Sequence, residues 1–118
     1  MNMGDNNQSI GPGMYFNTAL YNFAQAAGST PQSGDTAYGL ASAMIGGAQN
    51  FCAAMCAAYG SKAGPIGQMH FRNALYNFDR AGRLYDPVRD TVEYRLSIVA
   101  TAMQQFCAGT REALTPRP

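Results

Sequence analysis

The sequence predicts an all-α protein in which two tandem αα-hairpins form a four-helix bundle with pseudo-two-fold symmetry. Residues 14–59 align without a gap on residues 69–114 at a constant offset of 55, and 16 of the 46 aligned pairs are identical. Apolar residues recur at helical spacing, and alternating β-branched runs are absent. A repeat this short cannot bury its own apolar face, so it is expected to pack against its copy.

The first repeat predicts two helices. Helix 1 is expected over residues 14–27, and helix 2 from Asp35, a good N-cap or first-turn acid, to Tyr59. A Gly- and Ser-rich loop joins them. One face of helix 1 carries three large apolar side chains at helical spacing: Phe16, Leu20 and Phe23.

The second repeat predicts two more helices after a connection at residues 60–67. Helix 3 is expected over residues 68–83. Asp86-Pro87 is expected to begin helix 4, because Asp accepts free amide protons and Pro suits the first helical position. Helix 4 then runs to Glu112. Its apolar stripe comprises Val92, Leu96, Val99, Met103 and Phe106.

The motif Ala-Leu-Tyr-Asn-Phe occurs in both copies, at residues 19–23 and 74–78. Its repeated asparagines, Asn22 and Asn77, indicate a hydrogen bond that both copies use. The domain boundaries follow from the repeat: a flexible polar arm at residues 1–13, one helical domain at residues 14–114, and a tail at residues 115–118.

Charge is scarce and unevenly distributed. Only 13% of the residues are charged, against about 25% in a typical soluble domain. The net charge of +1 gives no electrostatic argument for nucleic acid or an anionic membrane as a partner. Between residues 6 and 61 the only charged residue is Asp35, whereas the second copy contains pairs such as Asp79–Arg83 and Arg89–Glu93. The second copy is therefore expected to be solvated on one face, and the first to be covered by the second copy or by other subunits.

Helix 2 is predicted to be buried on nearly all sides, because no charge occurs from Thr36 to Ser61. Its length would also suffice to span a membrane, but Gln49-Asn50 in its middle argues against that interpretation. Small side chains leave room for a second backbone to approach closely, either the hairpin partner or another subunit. The predicted subunit interface comprises Gly39, Ala43, Gly46, Gly47, Asn50, Ala54 and Ala57.

Few residues have side chains and spacings that predict metal binding or catalysis. Cys52 and Cys56 lie one turn apart, and Cys107 is the repeat equivalent of Cys52. They are weak candidates for a soft-metal site, and packing as small apolar side chains is the favoured role. His70, the single histidine, has no acid or cysteine at a spacing that forms a dyad. No phosphate-binding loop or nucleophile motif occurs, so neither an enzyme nor a cofactor is predicted.

The sequence therefore predicts a non-enzymatic, self-assembling structural protein whose charge-poor first repeat packs against other subunits in an oligomer or polymer. One alternative is a small module that binds and masks another protein. Another is a bundle with a buried thiol and methionine metal site. The polar start has no basic and apolar leader, which favours a cytoplasmic location, with leaderless secretion left open.

Overall fold

The computed structural model describes residues 12–28, 37–84, 86 and 88–115. These residues contain no strand, which confirms the all-α fold class. The predicted flexible arm before Pro12, the loop after Gly28, the Asp35 cap and the tail after Thr115 lie outside the described residues. Four packed helices and one 3-10 turn are present: α1 Pro12–Ala27, α2 Ala37–Tyr59, the turn Gly60–Lys62, α3 Gly64–Gly82 and α4 Val92–Leu114.

Helix α3 begins four residues before its predicted start. The connection at residues 60–67 was expected to be a loop, but Gly60–Lys62 forms a 3-10 turn and Gly64 begins the helix with φ of 71°. Pro65 occupies the first helical turn, where its missing amide proton removes no intrahelical hydrogen bond. Pro65, which the sequence analysis included in the connection, therefore belongs to the helix start.

Helix α4 begins at Val92, so the prediction that Asp86-Pro87 starts it is wrong. The Asp86 carboxylate accepts hydrogen bonds from the amides of Arg89 and Val88, at 3.2 and 3.0 Å, which hold its pKa below the usual value. These bonds stabilise a turn. An Asp side chain accepts backbone amide hydrogen bonds in turns as well as at helix starts, so the residue type did not distinguish the two. Thr91 is the actual N-cap, and its hydroxyl oxygen accepts a bond from the amide of Tyr94.

The late start of α4 also corrects one predicted ion pair. Arg89 precedes the helix, so it does not share a helical face with Glu93, and its guanidinium lies 3.9 Å from Asp90. The other predicted pair is present, with Arg83 Nε 2.7 Å from the Asp79 carboxylate.

Helix α2 lies at the centre of the arrangement. It packs against α1, α3 and α4, whereas α1 packs against α2 alone among the described helices. The main core therefore forms where α2, α3 and α4 meet. Its buried side chains include Cys52, Phe71, Phe78, Ala102 and Phe106. A second, smaller cluster contains Ile45, Ala81 and Ile98.

The second repeat thus covers part of α2, whereas α1 lies against α2 alone among the described helices. Five described residues of α2 are buried, namely Ala41, Ile45, Gly47, Cys52 and Ala54. The prediction that helix 2 is buried on nearly all sides is therefore wrong for a single chain.

Arg95 is fully buried at the junction of three helices, although the charge pattern places it among solvated residues. Its Nε donates to the carbonyl of Ala81 at 3.1 Å, and its guanidinium lies 4.5 Å from the ring centroid of Tyr38. The Tyr38 hydroxyl donates to the carbonyl of Leu84 just beyond α3. Because Arg95 meets the negative end of the α3 dipole and the ring of Tyr38, its buried charge is partly compensated, although it forms no ion pair with a carboxylate of the described residues.

The repeated asparagines, Asn22 and Asn77, make the same hydrogen bond within their own helices but differ in their other contacts. Asn22 and Asn77 each donate to the carbonyl four residues earlier in their own helix, at 3.1 Å in both cases. Asn77 also donates across its hairpin to Gln105 at 2.8 Å. Asn22 instead lies against Gly46 of α2.

Candidate functional site

An apolar groove runs between α2 and α4. Its volume is about 480 Å³, and none of the described residues that line it is charged. Four non-aromatic side chains on its walls, Leu40, Met44, Leu96 and Met103, remain between 39% and 47% exposed, and Phe51 is 40% exposed. Leu40, Met44 and Phe51 contribute from α2, and Val92, Leu96, Val99, Met103 and Phe106 from α4, with Phe23 of α1 at its edge.

A row of four phenylalanine rings crosses the molecule at the groove. Phe51 and Phe106 meet with ring centroids 5.5 Å apart and an interplanar angle of 87°, an edge-to-face geometry that aromatic pairs favour. Phe16 lies 5.8 Å from Phe51, and Phe71 lies 6.2 Å from Phe106. Phe51 and Phe106 also line a second apolar pocket of about 470 Å³ that reaches Cys107.

The groove contains the α4 stripe that the sequence analysis identified by its periodicity. Leu96 and Met103 of that stripe are exposed, whereas the buried face of α4 is rotated by about one residue. That buried face comprises Arg95, Ile98, Ala102, Phe106, Gly109 and Ala113. Periodicity identifies an apolar face of a helix but does not determine which face is covered by another helix. The burial of Arg95 had no signal in the sequence, because an arginine normally predicts an exposed position.

Two residues of the predicted small-residue interface, Gly46 and Gly47, lie against α1 of the same chain. A Cβ atom at Gly47 would lie 2.6 Å from the Phe23 ring, and one at Gly46 would lie 3.5 Å from Asn22. The adjacent glycines therefore let α1 approach the α2 backbone. Ala54 is fully buried, and the Asn50 side chain donates to the carbonyl of Gly46 at 2.8 Å. Ala43 is half-buried, and Gly39 and Ala57 are exposed at opposite ends of α2.

The three cysteines lie in different environments. Cys52 is fully buried in the main core, Cys56 is half-buried, and Cys107 is exposed on α4. Burial raises the pKa of Cys52 to about 12 and also raises the pKa of Cys56. The described residues contain no group of three or more His, Cys, Asp or Glu side chains that could hold a metal ion.

These environments predict the order in which the thiols react. At pH 8 we expect iodoacetamide to modify Cys107 first and Cys52 only after unfolding, because the thiolate is the reactive form and Cys52 stays protonated. Mass spectrometry of digested protein, sampled over time with and without denaturant, measures this order. Modification of Cys52 as fast as Cys107 without denaturant would contradict the packing of α2 described above.

One stretch, Ala37–Lys62, is long and apolar enough to cross a membrane by length and composition, with a mean hydropathy of 1.2. Core helices of soluble proteins and signal sequences meet the same criterion, although 28% of the most apolar part of this stretch is buried within the chain. The stretch is therefore weak evidence for a membrane.

No protein-family model, curated protein or solved structure matches this chain. The interpretation of the groove consequently depends on its own geometry. The arrangement of α2 and α4 offers a concave, uncharged surface suited to apolar side chains.

Proposed function

We propose that this is a non-enzymatic structural protein that self-assembles, and that copies associate through the groove between α2 and α4. The observation that carries the proposal is the set of half-exposed apolar side chains on the groove walls, Leu40, Met44, Leu96 and Met103. Contiguous apolar surface of this kind marks interaction sites on soluble proteins. The lining supplies apolar contacts, which suit binding better than acid–base or nucleophilic chemistry.

The finer fold prediction belongs to the same proposal. Each of five α4 residues lining the groove is the repeat equivalent, at the offset of 55, of an α2 residue lining it. The two helices also begin and end at that offset, at Ala37 and Val92 and at Tyr59 and Leu114. These correspondences support a duplicated hairpin with a local two-fold relation between the groove walls. The five pairs are Ala37/Val92, Ala41/Leu96, Met44/Val99, Ala48/Met103 and Phe51/Phe106.

The free energy gained by burying the groove side chains can be compared with the free-energy cost of association. Burying one large apolar side chain completely contributes roughly 1.5–3 kcal/mol, so four half-exposed side chains contribute about 4 kcal/mol together. Association itself costs about 4–15 kcal/mol in lost freedom of motion. The groove walls alone therefore do not hold two copies together, and the partner must also bury apolar surface of its own.

Substitution of Met44 tests this function. Met44→Glu places a charge in the groove, and we expect it to raise the dissociation constant for self-association by a factor on the order of 30 or more. Light scattering and sedimentation over a concentration series measure the association. Circular dichroism should show the same helix content as the unsubstituted chain, because Met44 is 46% exposed.

Met69→Glu is the matched control. Met69 lies on α3 away from the groove, and its 44% exposure almost equals that of Met44. We expect its association to resemble that of the unsubstituted chain. An unsubstituted chain that stays monomeric at every concentration would contradict self-assembly and favour a different protein as the partner of the groove.

A further inference from the structure

Building on the proposed function, we infer that the groove binds α1 of a neighbouring copy, so that subunits join head to tail. The contacting surface is the α1 ridge, which we define as Phe16 and Leu20. These residues lie one helical turn apart, the spacing at which a helix anchors itself in an apolar groove. Leu20 is 67% exposed and does not line the groove of its own chain.

The first argument compares α1 with α3. Both helices contain the same Phe-x-x-Ala-Leu-Tyr-Asn-Phe sequence, so their apolar faces are chemically alike. Phe71 in α3 is fully buried, because α3 packs against both α2 and α4. The equivalent Phe16 is 36% exposed, because α1 packs against α2 alone. The α1 ridge therefore lacks the second helix that its counterpart has.

The second argument is charge. Helix α1 contains no charged residue, and the described part of the groove lining contains none either. The large apolar side chains exposed on α3, such as Ile66 and Tyr76, share their helix with exposed Arg72 and Arg80. Inserting the α3 surface into the groove would desolvate charge without a partner, at substantial cost. Among the described helices, α1 thus offers the better-matched surface.

The third argument is shape. Two grooves placed face to face would enclose a void whose walls lose van der Waals contact. A helix ridge placed in a groove fills it. Phe23 against Gly47 holds α1 on α2, and Phe16 packs on Phe51 of the α2 wall. No Cα atom of α1 lies within 8 Å of a Cα atom of α4 among the described residues, so the ridge does not pack on the α4 helix within one chain. Each copy therefore presents both a ridge and a groove.

When each copy inserts its ridge into one neighbour and receives the ridge of another, every pair leaves one ridge and one groove free. Such contacts form rings when the rotation closes and open filaments when it does not. The inference consequently predicts growth beyond a dimer in the unsubstituted chain, and it predicts a specific result when one surface at a time is blocked.

Mixing two singly blocked variants tests the inference. Leu20→Glu blocks the ridge and keeps the groove, whereas Met44→Glu blocks the groove and keeps the ridge. We expect each variant alone to sediment as a 12.6 kDa monomer at a concentration where the unsubstituted chain assembles. An equimolar mixture should form a one-to-one dimer and stop there, because only one intact ridge and one intact groove meet. Tyr21→Glu, at a 64% exposed position on another face of α1, should assemble as the unsubstituted chain does.

The other outcomes are distinguishable. If Leu20→Glu assembles like the unsubstituted chain while Met44→Glu does not, the groove mediates a different contact, and the inference is wrong although self-assembly stands. If both variants are monomeric and the mixture fails to pair, the ridge and the groove are not partners. If the unsubstituted chain is monomeric throughout, the proposed function fails first and the inference with it.

Discussion

Phe71→Ala is expected to destabilise the monomer by about 3–5 kcal/mol, the range for truncating a fully buried phenylalanine. Phe71 is completely buried, its ring packs against Phe106, and a Cβ atom at Gly109 would lie 3.1 Å from it. The cavity left by alanine cannot collapse easily, because helices α2, α3 and α4 all border this part of the core. Denaturant unfolding followed by circular dichroism, at a concentration where the chain is monomeric, measures the loss.

The repeat supplies the control for this substitution. Phe16→Ala removes the equivalent ring from the equivalent helix, and we expect a cost of about 1 kcal/mol, since Phe16 is partly exposed and makes its one ring contact with Phe51. Local helix propensity changes equally in both variants, so the difference reports packing alone. Equal costs would mean that α1 is packed as tightly as α3, which would remove the open ridge.

Arg95→Glu is expected to destabilise the chain by at least about 3 kcal/mol. The new carboxylate would face the carbonyl oxygens of Ala81 and Tyr38, which now accept bonds from the guanidinium at 3.1 and 3.4 Å. It would also meet the negative end of the α3 dipole, where an anion is unfavourable. Thermal and denaturant unfolding measure the effect.

Two further substitutions separate charge from volume at this junction. Arg95→Met keeps an apolar stem and removes the buried charge, so we expect a smaller loss than with Arg95→Glu. Arg72→Glu reverses an exposed charge on α3 and should change the free energy of unfolding by no more than about 0.5 kcal/mol. If Arg95→Glu were as mild as Arg72→Glu, the guanidinium would not be buried at the helix junction.

Helix positions were largely predictable, because helices depend on local hydrogen bonds and on the period of the apolar residues. The end of α2 was predicted at Tyr59, where it is found, and the predicted end of α3 at Arg83 is one residue late. The starts of α3 and α4 were wrong, since Pro65 and Asp86 suit a helix start and a turn equally well. The choice between those structures depends on which neighbouring amides the side chain meets, and a local pattern does not contain that information.

Only part of the groove was predictable from the sequence. The sequence identified the α4 stripe containing Leu96 and Met103, but placed its apolar residues in the core. It also selected Gly46 and Gly47 as positions of close backbone approach, and the structure brings α1 of the same chain to them. Whether such a surface meets its own chain or another subunit depends on the angle at which the helices pack, which composition does not specify.

By itself, the sequence determined the all-α fold class, the approximate helix limits and the scarcity of charge in the first repeat. The tertiary structure decided which apolar faces are covered. Phe16 and Phe71 belong to the same motif and to the same kind of helix, yet one is partly exposed and the other fully buried. The physical reason is that a helix forms through contacts four residues apart, whereas burial requires a second helix brought close from a distant part of the chain, and α3 has that helix while α1 does not.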